Sequence, residues 1–138
     1  MTIVDDRLLD TLRGPGLCEL CGKRCRSREA VHLHAKGMGG GRRVDVPINL
    51  LSAGRGEAFQ CQCHRESHDG NMDRQRLLDA IAKREKCRAE DIDAVLYLII
   101  RLPKNPTRTQ LFAALEELTD PITRALAFKT LRRHVPEE

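Results

Sequence analysis

Two cysteine pairs constrain this chain more than any other feature: Cys18-x-x-Cys21, with Gly22 directly after it, and Cys61-x-Cys63. A two-residue spacer makes a turn that presents two thiolates to one tetrahedral ion, as in a zinc knuckle. The second pair has a one-residue spacer, so it is less regular, and Cys25 is an alternative fourth ligand. The competing reading leaves Cys18 and Cys21 as buried free thiols, and Cys87 reads as a packed residue in either case. Met1 to Asp10 carries three acidic residues and no apolar stretch, so no signal peptide is expected there. The longest apolar run, Ala94 to Ile100, falls well short of the roughly 18 to 20 residues that cross a bilayer. The expectation is a soluble, cytoplasmic protein without membrane contact. In that reducing compartment cysteines favour metal over disulfides.

At 138 residues the chain makes one domain, or one compact domain with a helical extension. Three Phe, one Tyr and no Trp leave the packing to aliphatic side chains. The patterning predicts an α+β, mostly helical protein, divided into a site-bearing segment 1–71 and a helical segment 72–138. Residues 4–13 read as a short amphipathic helix ended by Gly14-Pro15-Gly16. Residues 30–35 read as a strand, followed by the Gly37–Gly41 turn and a return segment over 45–51. Ser52 to Gln60 reads as a loop, and Cys61 to His68 as a short helix stopped by Asp69-Gly70-Asn71. Helices follow over 72–87 and 89–102. Asn105-Pro106 and Asp120-Pro121 look like N-caps with proline at the first helical position, opening helices over 107–118 and 121–134.

The second half is an ordinary helical scaffold, so the chemistry belongs to the first. His64 and His68 stand at i and i+4, where two imidazoles project from one helix face and reach one divalent cation. Such pairs also occur on plain surface helices. His32 and His34, at i and i+2, share one side of a strand, and on that ground alone they read equally well as exposed edge histidines. Lys23, Arg24, Arg26, Arg28, Lys36, Arg42 and Arg43 are opposed locally by Glu29 alone, a balance that attracts polyanions. A solvated basic loop gives the same pattern.

Taken in order, Cys18-x-x-Cys21, the AVHLH segment, KGMGGGRR-x-D-x-P, Asn49-Leu-Leu, Cys63-His64 and His68 resemble the HNH endonucleases of bacteriophages and mobile elements. The similarity is to members that carry a four-cysteine zinc clip around a ββα-metal motif, and it covers about residues 18 to 71. The chain departs from that pattern twice. Counting back from the Gly-Gly turn puts His32 at the base position and Val31 where the family has a first-strand metal ligand. That leaves His34 either to take over the ligand role or, in a shifted register, to be the base. Ser52-Ala53-Gly54 stands where the family has a cysteine, which leaves Cys61 to complete the clip.

The resemblance implies hydrolysis of DNA phosphodiester bonds in a phage or prophage setting, in the cytoplasm of a bacterial host. His32 takes the general-base role, with His34 as the competing candidate, and Asn49 orients the base through the loop or, as in some members, binds the metal. His64 and His68 hold the catalytic divalent ion, Mg²⁺, Mn²⁺ or another. Cys18, Cys21, Cys61 and Cys63 hold a structural Zn²⁺. Lys36, Arg42 and Arg43 grip flanking phosphates. The helical second half is where a second copy, or a partner from the phage packaging machinery, would dock. The alternative from another class is a zinc ribbon that binds nucleic acid without cutting it.

Overall fold

The computed structural model describes residues 1–34, 43–56, 61–68 and 72–137. Mixed α/β architecture results, with helix in excess of strand. Helix α1 spans Asp6–Thr11, shorter than its apolar pattern, because the Asp5 carboxylate caps the Leu8 amide and sets the start. A hairpin of β1 (Gly16–Leu17) and β2 (Arg24–Cys25) follows, pairing Gly16 with Cys25 and Leu17 with Arg24. Strand β3 (Arg28–His32) runs antiparallel to β4 (Leu50–Gly54), with Glu29 opposite Ala53 and His32 opposite Leu50.

Two expectations shift here. The strand expected over 30–35 ends at His32, and the return segment is first a 3-10 turn, Pro47–Asn49, before it pairs. Ser52 to Gly54 are strand, not loop. Leu50 to Gly54 are buried throughout, and the Ser52 hydroxyl donates to the Leu12 carbonyl, so its polarity is satisfied inside the fold. Helix α2 (Cys63–His68) packs on both β3 and β4. The Gly37–Gly41 turn and the Asp69-Gly70-Asn71 stop lie outside the described residues, as do Lys36 and Arg42.

Four helices complete the fold: α3 (Arg74–Glu85), α4 (Ala89–Arg101), α5 (Arg108–Glu116) and α6 (Pro121–Leu131). Asp73 and Asp120 cap α3 and α6 through the Gln75 and Ile122 amides. Helix α5 opens at Thr107 and not at Asn105, because Thr107 and Gln110 form a reciprocal capping box. Helix α4 is the centre of the molecule, with Ile92, Val95, Leu96 and Ile99 fully buried against α3 and α6. Val31, Leu51 and the buried cysteines join the same apolar cluster as Leu111 and Leu131, so a single core runs through both segments. Among the described residues no helix is long and apolar enough to cross a membrane.

Candidate metal centre

The β1–β2 hairpin carries the first cysteine pair on its connecting turn. The Gly22 amide donates to the Cys18 carbonyl at 2.9 Å, and Gly22 takes a φ of +75°, a left-handed conformation that a side chain would strain. The Leu20 amide points at Cys18 Sγ, at 3.4 Å. Cys61 and Cys63 come from the entry to α2, where the Cys63 amide faces Cys61 Sγ at 3.5 Å. The sulfurs of Cys18, Cys21, Cys61 and Cys63 all lie within 4.8 Å of one another. Four thiolates around one zinc sit roughly 3.8 Å apart for bonds of about 2.3 Å, so this group is a set that can hold a metal ion such as zinc.

Charge in the cluster is shared unevenly. Burial opposes ionisation of Cys18, yet hydrogen bonding from the backbone at Gly54, Cys21 and Leu20 outweighs it and lowers its pKa to about 7. Burial pushes the thiols of Cys63 and Cys21 upward, and the neighbouring sulfurs add to that. A divalent cation supplies the positive charge that lets such a group ionise together.

Cys25 is a fifth thiol beside this group. A Cβ placed on Gly54 would stand 2.5 Å from Cys25 Sγ and 2.6 Å from Cys61 Sγ, so glycine is required where β4 passes the sulfurs. The turn is clamped from outside. Glu19 and Ser52 exchange two hydrogen bonds, from the Glu19 amide to the Ser52 carbonyl and from the Ser52 amide to Glu19 Oε1. Arg84 of α3 then donates to both Glu19 oxygens, at 2.8 and 3.0 Å, and to the Pro47 carbonyl. Neither Glu19 nor Arg84 is visible as a site residue in sequence, because 65 residues separate them.

The histidines fall into three environments. His64 and His68 project together from α2 with their Nε2 atoms 3.1 Å apart, in hydrogen-bond contact and close enough for both to reach one ion. They line a cleft of about 420 Å³ with Arg55 and Arg65. Burial lowers the His64 pKa, with the neighbouring His68 acting in the same direction, and this favours the neutral ring that a metal needs. His32 sits at the end of β3, with Nε2 2.8 Å from Oδ1 of the fully buried Asp45.

His34 lies past the strand end, so the two rings diverge. Its Nε2 is 2.6 Å from Arg74 Nη2 and 3.4 Å from Asp93 Oδ1. Burial lowers the His34 pKa too. Asn49 is buried and serves the turn between them: its carbonyl accepts from the Leu33 amide, its Oδ1 accepts from the His34 amide, and its Nδ2 donates to the Val44 carbonyl. No hydrogen bond or ion pair among the described residues links His32 or His34 to the His64–His68 pair.

Arg43 pairs with the buried Asp45 and with the exposed Asp6. Lys23, Arg24 and Arg26 on the hairpin are exposed, as is Arg55 beside the cleft. No family model, curated protein or solved structure matches this chain.

Proposed function

We propose that this chain is a zinc-clipped, metal-dependent endonuclease of the HNH type that hydrolyses DNA. The observation that carries the reading is the His64–His68 pair, its Nε2 atoms 3.1 Å apart on a helix that packs against the strand bearing His32. Cys18, Cys21, Cys61 and Cys63 would hold a structural zinc, which ties the hairpin to the start of α2 and thereby aims the histidine pair. A divalent ion bound by His64 and His68 would supply Lewis-acid stabilisation to the scissile phosphate and its leaving oxygen.

The remaining chemistry belongs to side chains. His32 is the general base for the attacking water, a task suited to an imidazole at neutral pH. Asn49 accepts two hydrogen bonds from the turn that follows His32 and donates a third to the Val44 carbonyl. The exposed cations Lys23, Arg24 and Arg26, and Arg55 at the cleft beside Glu29, would meet backbone phosphates, whereas Arg43 is held by Asp45 and Asp6.

A second reading, a zinc ribbon that binds nucleic acid without cutting it, draws on a specific fact. Four cysteines could hold one ion by themselves, so metal binding alone requires no catalytic histidine. Plasmid nicking across Mg²⁺, Mn²⁺, Ni²⁺, Co²⁺ and Zn²⁺ with chelator controls, paired with DNA affinity at fixed salt, separates the two. The nuclease expects His64→Ala and His68→Ala to lose nicking while DNA affinity stays within about twofold. Wild-type protein that binds DNA and nicks with none of these ions removes the enzyme and leaves the ribbon.

A further inference from the structure

Asp45 has no role in the reading above, yet it is the only buried carboxylate among the described residues that touches a histidine of the site. Its Oδ1 meets His32 Nε2 at 2.8 Å, and its Oδ2 accepts from the Asp5 amide at 2.9 Å and from Arg43 Nη2. The backbone around it is held as well: Ile3 and Val44 form a bridge, the Ile3 amide donates to the Arg43 carbonyl, and the Asp45 amide donates to the Ile3 carbonyl. Burial works against its charge, but the Asp5 amide, His32 and Arg43 outweigh this and keep its pKa below the ordinary carboxylate value.

Resting on the endonuclease reading, we propose that Asp45 is the positioning residue of His32, holding the ring as its Nε2–H tautomer so that Nδ1 is the atom that takes the proton. An ionised carboxylate only accepts hydrogen bonds, so the ring nitrogen facing it carries hydrogen. In a neutral imidazole the lone pair then resides on Nδ1. A water gives its proton to Nδ1 and its oxygen bonds to phosphorus. The bond from phosphorus to the leaving 3′ oxygen breaks, and that oxygen takes a proton from solvent. His32 is left as an imidazolium with both nitrogens protonated, and Asp45 remains a carboxylate beside it. His34 is engaged elsewhere, its Nε2 meeting Arg74 Nη2 at 2.6 Å and Asp93 Oδ1 at 3.4 Å.

The test joins a spectroscopic signature to a rate. Nitrogen-15 NMR of the imidazoles in wild type is expected to show His32 protonated at Nε2. In Asp45→Asn, whose amide can turn a donor toward the ring, the Nδ1–H form is expected to appear. The single-turnover nicking rate at saturating DNA is expected to fall by ~100-fold or more, with DNA affinity unchanged and partial recovery in Asp45→Glu. A wild-type His32 protonated at Nδ1 in an enzyme that nicks overturns the positioning role, and needs no variant to be folded. Asp45→Asn nicking at the wild-type rate overturns it equally. A wild type that fails to nick, with His32 still protonated at Nε2, instead overturns the endonuclease reading and the base role with it.

Discussion

Helix α4 buries six of its thirteen residues, including Ile92, Val95, Leu96 and Ile99. The β1–β2 hairpin is built from two strands of two residues each, and of these only Cys25 is buried. The helical half therefore holds its shape by apolar burial worth roughly 1.5–3 kcal/mol for each large side chain removed from water. The hairpin has almost none of that. Its conformation rests on the sulfur cluster, on Gly22, and on the exchange between Glu19 and Ser52 that Arg84 closes from α3. The difference teaches where a metal ion would enter the folding balance: in the part of the chain too small to hold itself.

Removing the metal is the strongest way to break this contrast. Cys18→Ser, or treatment of wild type with a zinc chelator, is expected to lower the melting temperature by on the order of 10 °C or more, since a structural site contributes folding free energy directly. Amide exchange should rise first in the hairpin and α2, while α4 stays protected. An unchanged melting temperature in a wild type that binds no zinc would erase the distinction.

An intermediate effect lies on the helical side. Asp91 at the start of α4 is buried, paired to Arg88 at 2.8 and 2.9 Å and to the Thr123 hydroxyl of α6 at 2.7 Å. Asp91→Ala is expected to cost about 2 kcal/mol in urea unfolding, with bound zinc unchanged. Hydrogen bonds from Arg88, then Thr123, hold this carboxyl below its ordinary range against the opposing effect of burial. A depressed folded-state pKa means that this stabilisation is complete above the ordinary carboxylate value of about 4 and is lost as pH falls below it. The variant should therefore lose less stability than wild type between pH 5 and acid.

The smallest effect on folding sharpens the comparison within α2. His68 is exposed and Cys63, at the other end of α2, is buried, so His68→Ala is expected to change stability by less than about 0.5 kcal/mol and to retain the cysteine-bound zinc. Calorimetric titration with Mn²⁺ or Ni²⁺ should show the loss of a second, exchangeable ion. Loss of the tightly held zinc in this variant would place the histidine in the structural cluster.

Much of this was legible in the sequence because it depends on spacing along the chain. A Cys-x-x-Cys turn followed by glycine, two histidines one helical turn apart, apolar periods of three and four, and an aspartate before proline at 120–121 each act within a few residues. They specify local geometry before any tertiary contact forms. What tertiary structure alone decided are the meetings of distant residues. Strand β3 ends at His32, so two histidines that share one face of an ideal strand diverge, one to Asp45 and the other to Arg74 and Asp93, the latter 59 residues away. Arg43, basic and adjacent to the glycine-rich turn, satisfies Asp45 and Asp6. Arg84 looks like any surface cation on α3 until the fold sets it against Glu19 and Pro47. Buried charges and carbonyls require partners, and only the packed chain supplies them.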